Sequence, residues 1–271
     1  MVMTNLLQRV FDCDAPVALI TGSGAPRVGQ TIAMELAAAG CRIVLHANHS
    51  VDQAHTAAER LRQQFDVETS VAIGALEDSE TPQRLISECV DQFSRLDILV
   101  NSAAIWQPTK LADITADEMR RYFEINTMAS FFCARAAGQA MANQAKGGCI
   151  VNIGDWATER PYLDHAAYFP SKGAVDVMTR SLAVELAQLN DSIRVNCIKP
   201  GPVLLADEVP DAQRQKLCAS TLGGNIGSAE HVAHAVRFLC ENTFVNGVCL
   251  PVDGGRTVFA PDGLQVGENT G

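Results

Sequence analysis

The sequence predicts a single α/β domain, a doubly wound parallel sheet with helices on both faces. Three observations carry that expectation. Short apolar runs alternate with helix-patterned stretches long enough to cross back over a sheet, which is the order of βαβ units. A glycine-rich turn follows the first run and opens the first long helical stretch. The 271 residues are 47% hydrophobic, enough for one sizeable core at a length where alternating α/β chains commonly form one unit. No internal repeat, linker or low-complexity segment divides the chain. Residues 1–271 are therefore read as one domain, with 1–14 as an N-terminal extension and 257–271 as a tail that serves as a mobile end or an interface arm.

Each element has a local reason. Val17–Ile20, between Pro16 and Thr21-Gly22, is the first strand. Thr31–Ala39 reads as a helix closed by Gly40, whose free φ suits a helix end. Arg42–Leu45 is the second strand, Val51–Phe65 a polar-faced helix and Thr69–Ile73 the third strand. Pro82–Ser94 is a helix, and Leu96–Val100 is the fourth strand, ending at Asn101. Ala116–Asn143 holds one or two helices, and the apolar run Cys149–Ile153 is a buried fifth strand. Ala166–Leu189 reads as a helix, which Pro170 permits only from the first turn. Ile193–Ile198, a helix over Ala229–Glu241 and a last strand over Gly247–Val252 complete the alternation.

The turn from Thr21 to Gly29 lies between the first strand and the first long helix. Glycines there let the backbone approach a pyrophosphate, and the helix N-terminus offers N–H groups and a positive dipole end. This is a Rossmann-type arrangement in which Thr21, Gly22, Arg27 and Val28 are expected to touch a dinucleotide. The end of the second strand discriminates between cofactors, because an NAD site usually places an acid there on the ribose hydroxyls. Here His46, Ala47, Asn48, His49 and Ser50 follow, with no acid before Asp52. Arg27, His46, His49 and Ser50 are read as surrounding a 2′-phosphate, with Arg27 as a guanidinium fork, so NADPH is expected in preference to NADH.

The candidate chemistry lies between Asp155 and Lys172. Tyr168 and Lys172 are four residues apart and share one helix face. A nearby ammonium favours the phenolate, drawing the phenol down from its usual value of about 10. Tyr168 is thus a candidate proton donor near neutral pH. Asp155 follows the fifth strand directly, and Trp106 shortly follows the fourth, as an aromatic wall for a flat ring or as packing.

Taken in order, these motifs resemble the short-chain dehydrogenase/reductase family over roughly residues 15–258. The marks are the Thr21-Gly22 turn, Asn101-Ser102-Ala103-Ala104, Asn126, the Tyr168/Lys172 pair, Pro200-Gly201 and Asp253-Gly254-Gly255. The resemblance implies that Tyr168 is the acid and that Lys172 also binds the nicotinamide ribose. It implies that Asn126 anchors a proton-relaying water, and that Asn101, Ala103, Pro200 and Gly201 join the cofactor site. It also implies a homotetramer assembled through the two long helices containing Asn126 and Tyr168.

The departures narrow the function. Most of the family has serine thirteen residues before the tyrosine, where this chain has Asp155. A carboxylate only accepts hydrogen bonds and repels a developing oxyanion, so it suits a substrate presenting N–H donors. Aspartate here, with arginine in the glycine turn, resembles the pteridine reductase branch, and the stretches Asp155-x-x-x-Glu159-Arg160 and Phe244–Gly247 with Leu250–Arg256 resemble bacterial dihydromonapterin reductase. The competing reading makes Asp155 a helix cap or a salt-bridge partner of Arg160, with Thr158 as the substitute hydroxyl. Arg160 and His165 are read as surface residues. Ala75 stands where the family usually holds the adenine with aspartate, with Leu76 and Glu77 beside it.

The leading expectation is NADPH-dependent reduction of a pterin or related N-heterocycle. The alternatives are a carbonyl reductase of the 3-oxoacyl carrier-protein type and a catalytically silent NADPH-binding sensor. The segment from Pro202 to Ser228 is expected to close over the substrate. The net charge of −10 argues against nucleic acid and an anionic membrane as partners and leaves a small-molecule substrate. The nine cysteines contain no C-x-x-C pair and read as reduced, buried thiols, not as zinc ligands or disulfides. With no signal peptide core and no run of transmembrane length, a cytoplasmic protein is expected.

Overall fold

The computed structural model describes residues 5–203 and 210–259. Seven parallel strands form one sheet: β1 (Val17–Ile20), β2 (Arg42–Ala47), β3 (Thr69–Ile73), β4 (Ile98–Asn101), β5 (Gly148–Ile153), β6 (Ile193–Pro200) and β7 (Cys249–Val252). Their order is β3-β2-β1-β4-β5-β6-β7, so the direction of winding reverses between β1 and β4. In such sheets the crevice at the carboxyl ends beside the reversal is the natural ligand site. No helix of the described residues is long and apolar enough to cross a membrane.

Successive strand residues feed opposite cores. Val17 and Leu19 point to one side with Val44, Leu99, Ile150 and Val195. Ala18 and Ile20 point to the other with Ile43, Leu45, Val100 and Val151. Burial on both faces is why these strands read as unbroken apolar runs. The first core is closed by α4 (Thr81–Phe93), α6 (Ala129–Met141) and α7 (Tyr168–Leu189). The second is closed by α1 (Leu6–Phe11), α2 (Val28–Ala38), α3 (Val51–Phe65) and α9 (Ala229–Glu241).

Several boundaries move from their sequence expectation. Leu7 and Phe11 of α1 are buried, so part of the supposed extension belongs to the core. Asn5 caps this helix by accepting from the Leu7 N–H at 3.1 Å. Helix α2 begins at Val28, three residues early, directly from the glycine turn. The region 116–143 is one continuous rod: α5 (Ala116–Tyr122), a π-helical turn (Phe123–Met128) and α6. Helix α7 begins at Tyr168, so Pro170 does fall in the first turn. A short helix α8 (Asp211–Ala219) lies in the segment expected to close the cleft, while 204–209 fall outside the described residues. Residues 260–271 of the tail fall outside as well. Helices α6 and α7 pack closely because Gly138 has no side chain; a Cβ there would lie 2.5 Å from Leu186 Cδ2.

Asp97 ties the sheet together at its centre. It is fully buried, and its Oδ2 accepts from the Val17 N–H and from Arg95 Nε, both at 2.8 Å. Its Oδ1 accepts from Arg95 Nη2 at 2.8 Å, and that same nitrogen donates to the Phe11 carbonyl at 3.0 Å. One carboxylate thus joins β1, the start of β4 and the end of α1. Asp97→Ala leaves a strand N–H and a guanidinium unpaired, so urea unfolding should show a loss of about 3 kcal/mol. A change under about 1 kcal/mol would remove Asp97 from this role.

Candidate active site

The carboxyl ends of β1, β2, β4, β5 and β6 open into one cleft of about 950 Å³. Its floor on the β1–β2 side is the glycine turn. Gly22 has φ +66°, and a Cβ there would lie 2.7 Å from Ala103 Cα. A Cβ on Gly24 would lie 2.8 Å from Ala47 Cβ and from Ser50 Oγ. The turn thus lies against the loop after β4 and the β2–α3 connection only because side chains are missing, and it leads directly into the N-terminus of α2. That is a cradle suited to a cofactor diphosphate.

His46 holds this turn in place. Its backbone N–H donates to Ser23 Oγ at 3.1 Å, and its carbonyl accepts from the Ser23 and Gly24 N–H groups at 3.1 and 3.2 Å. Its Nδ1 accepts from the Gly22 N–H at 3.1 Å, and its Nε2 donates to the Gly74 carbonyl at 2.9 Å. Both ring nitrogens are engaged in one neutral tautomer, and burial lowers its pKa from 6.5. The expectation that His46 faces a 2′-phosphate is therefore corrected: it braces the loop that approaches the diphosphate. Arg27 and His49 are exposed at the cleft edge, and Ser50 and Val28 line it.

Thr21 is also internal. Its Oγ1 accepts from the Ser102 and Ala103 N–H groups at 3.0 and 3.1 Å, stitching the end of β1 to the loop after β4. Asn101 is buried and donates to the Ser130 carbonyl and to Asn152 Oδ1, at 3.1 and 2.9 Å. Neither Thr21 nor Asn101 lines the cleft, whereas Gly22 and Ala103 do. Leu76 and Glu77 line the end where the adenine aspartate was missing, and Pro200 and Gly201 line the β6 end. Gly201 is required there, since a Cβ would lie 2.6 Å from Asp253 Cα.

The reacting end lies between β5 and α7. Asp155 starts a short 3₁₀ turn (Trp156–Thr158), and its Oδ1 caps that turn by accepting from the Ala157 N–H at 2.8 Å. Its Oδ2 accepts from the Tyr168 hydroxyl at 2.7 Å. One carboxylate oxygen of Asp155 thus caps the turn and the other meets Tyr168 at the cleft. Arg160 turns elsewhere, donating to the Arg256 carbonyl at 2.8 Å and to that of Phe259. Thr158 Oγ1 donates to the Asp155 carbonyl at 3.0 Å and does not line the cleft.

The Tyr168/Lys172 electrostatics differ from expectation. Lys172 is buried, and its Nζ donates to the Ile153 carbonyl at 2.7 Å. Burial lowers its pKa, with Asp155 acting in the opposite direction. Tyr168 is not drawn down; burial, then the Asp155 charge and hydrogen bond, push it well above 10. The phenol is held protonated, donating to a carboxylate.

Asn126 sits in the π-helical turn, a feature that recurs at functional sites. Its side chain accepts from the Ile105 N–H at 2.9 Å and donates to the Ile105 carbonyl and to Ser171 Oγ, both at 3.1 Å. Tyr122 grips the same loop through the Gln107 N–H and carbonyl, at 3.1 and 3.0 Å. Between these clamps Trp106 stands at the cleft mouth, stacked on His165 at 4.7 Å and donating to the Tyr162 hydroxyl at 3.3 Å. His165 is buried, not on the surface, and its Nδ1 donates to the Leu163 carbonyl at 2.8 Å.

Sequence reasoning missed Tyr162, Trp156 and Arg256, which all line the cleft. The Arg256 guanidinium lies 4.3 Å over the Trp156 ring. Their local sequence carried no periodic signal; only the fold brings the 156–162 loop and the chain after Gly255 to the same wall.

A family model described as enoyl-(acyl carrier protein) reductase matches residues 25–257. The chain is 33% identical to pteridine reductase 1 from Leishmania tarentolae, covering 90% of this chain and 97% of that protein. It is 30% identical to the short-chain dehydrogenase/reductase FrzI from Cladobotryum sp, covering 88% and 94%. Among solved structures, a putative short-chain alcohol dehydrogenase from Sinorhizobium meliloti 1021 superposes with a TM-score of 0.83. That match is 27% identical and covers 91% of this chain and 98% of that one.

Two outcomes follow from the turn. Gly22→Ala forces a β-carbon into a left-handed position against Ala103, so affinity for a reduced nicotinamide dinucleotide, measured by fluorescence titration, should fall about tenfold or more. The lowered pKa of His46 makes its contribution to stability complete above pH 6.5, where the imidazole is neutral in both folded and unfolded chains. As pH falls below that, the unfolded chain takes the proton first and the contribution is lost. The stability gap between wild type and His46→Gln, measured by urea unfolding, should therefore narrow from pH 7 toward about pH 5. A constant gap would contradict a neutral, bracing imidazole.

Proposed function

We propose that this protein, which belongs to the short-chain dehydrogenase/reductase family and so is an oxidoreductase using a nicotinamide cofactor, reduces a pterin or related N-heterocycle with NADPH. The observation that carries the substrate is Asp155, whose carboxylate faces the cleft within hydrogen-bond distance of Tyr168. An ionised carboxylate accepts only, and it matches ring N–H groups better than the carbonyl oxygen of a ketone. Trp106 and Tyr162 add flat surface at the same mouth. The relative from Leishmania tarentolae named as a pteridine reductase supports the same reading. The preference for NADPH rests on Arg27 and His49 at the cleft edge and on the absence of an acid at the end of β2.

The nicotinamide cofactor, when bound, supplies a hydride. The residues of the chain do the rest. Gly22 lets the backbone of the turn lie close, the start of α2 would offer its N–H groups to the diphosphate, and His46 keeps that loop in shape. Tyr168 holds the proton: its hydroxyl stays protonated because Asp155 and burial oppose its ionisation. Ring N–H groups that bind Asp155 take the place of the Tyr168 hydroxyl on that carboxylate. The phenol is then released to protonate the ring nitrogen beside the reduced carbon. Lys172, fixed by the Ile153 carbonyl, supplies positive charge beneath the site. Asn126 secures the loop that presents Trp106 and positions Ser171 of α7. Exposed Phe131, Val177 and Val184 on α6 and α7 support assembly through that face as a homotetramer, which light scattering should report.

The substrate test follows NADPH consumption with dihydrobiopterin, dihydromonapterin and an acetoacetyl thioester. Turnover of the pterins is expected, and turnover of the thioester alone overturns the proposal. Asp155→Ser keeps a side chain able to cap the 3₁₀ turn but removes the charge. It should lower pterin turnover about a hundredfold while leaving ketone reduction unchanged or improved. Tyr168→Phe should lower kcat by roughly a hundredfold or more with little change in cofactor affinity. Full activity in that variant would assign the proton to another group.

A further inference from the structure

The edge of the sheet brings together two thiols that are far apart in sequence. Cys197 of β6 and Cys249 of β7 are register partners in the parallel ladder, so both side chains leave the same sheet face, toward α7. Neighbouring strands lie about 4.8 Å apart, inside the 4.4–6.8 Å window that disulfides require between Cα atoms. The two Sγ atoms and a carboxylate oxygen of Asp176 all lie within 4.8 Å of one another. The two sulfurs therefore already meet at a Cα separation within the range of a disulfide.

The two thiols are not equivalent. Cys197 is fully buried, while Cys249 is half-buried and open to a small reagent. Arg180 Nη1 lies 3.6 Å from Cys249 Sγ, and Lys199 pairs with Asp176 at 2.7 Å in the same cluster. Cations beside a thiol favour its thiolate, and they disfavour a bound divalent metal at this place. The closeness of the two sulfurs draws Cys249 down and pushes Cys197 up, and both thiols donate to Asp176, Cys197 to Oδ1 at 3.9 Å and Cys249 to the carbonyl at 3.6 Å. A second pair, Cys149 and Cys240, interacts in the same way, but both are fully buried and present no sulfur to a reagent.

We propose that Cys249 and Cys197 form a hydroperoxide-reactive dithiol, with Cys249 as the attacking sulfur and Cys197 as the resolving one. The Cys249 thiolate attacks the peroxide, forming an S–O bond as the O–O bond breaks and hydroxide departs to become water. Cys197 then gives up its proton, with the Asp176 carboxylate 3.9 Å away as acceptor, and its sulfur attacks the Cys249 sulfur. The S–S bond forms, the S–O bond breaks and a second water leaves. Two thiols are oxidised by two electrons and one hydroperoxide is reduced, which balances the step. The resulting bond closes one helical turn beyond Lys172, because Tyr168, Lys172 and Asp176 are spaced four apart on α7.

The test uses the full chain, folded and reduced, treated with hydrogen peroxide, then denatured and alkylated with N-ethylmaleimide. Intact mass should show two of the nine cysteines protected, a peptide map should join Cys197 to Cys249, and dithiothreitol should restore both. Cys197→Ser should instead accumulate a sulfenic acid on Cys249 that dimedone captures, and Cys249→Ser should show neither protection nor capture. Nine alkylated cysteines in treated wild type overturn the proposal. So does a map joining any other pair, Cys149 to Cys240 included, or unchanged protection in Cys249→Ser. The wild-type map decides the matter even where a serine variant folds poorly.

Discussion

The structure of the site depends on one hydrogen bond, in which the Tyr168 hydroxyl donates to Asp155 Oδ2 at 2.7 Å. A carboxylate at this distance holds the phenol in its protonated form, since losing the proton would set two negative charges side by side in a buried place. The pair needs two elements in fixed relation. Asp155 is held at the end of β5 by the turn that it caps, and Tyr168 by the first turn of α7.

The other end of the cleft is built on a different principle. The glycine turn makes few contacts of its own and takes its shape from the β2 terminus. His46 reaches it with its backbone N–H, its carbonyl and Nδ1, while Nε2 anchors the ring to Gly74. A buried imidazole serves this purpose because in its neutral form it is at once an acceptor for Gly22 and a donor for Gly74, which neither a lysine ammonium nor an ionised aspartate offers. The absence of an acid at this strand end thus has two parts. It leaves Arg27 and His49 to face the cleft edge, and it puts a neutral brace where the strand meets the turn.

Much of the architecture was legible from consecutive residues. The helix over Val51–Phe65, the strand over Thr69–Ile73 and the helix over Ala229–Glu241 lie where hydrophobic period and flanking turn residues put them. Helix α1 was not legible, since six residues hold too little period to distinguish a helix from an extension. The π-helical turn around Asn126 was hidden for a related reason: its widening by one residue per turn leaves an apolar pattern that one or two ordinary helices would also explain. His165 was misjudged because a histidine among exposed neighbours reads as solvated, and only the stacking of Trp106 and Tyr162 encloses it.

The sequence by itself determined the fold class, the parallel order of βαβ units and the presence of Asp155, Tyr168 and Lys172 near one strand end. These follow from local periodicity, turn chemistry and spacing along the chain. The tertiary structure alone decided how those groups are charged and aimed. Burial and a carboxylate thirteen residues away hold the Tyr168 proton, while the lysine one turn on donates to the Ile153 carbonyl. His46 turns its ring to the backbone, and Cys197 meets Cys249 across a ladder that joins segments fifty-two positions apart. Burial, hydrogen-bond direction and strand register arise between segments, so they exist only once the sheet has closed.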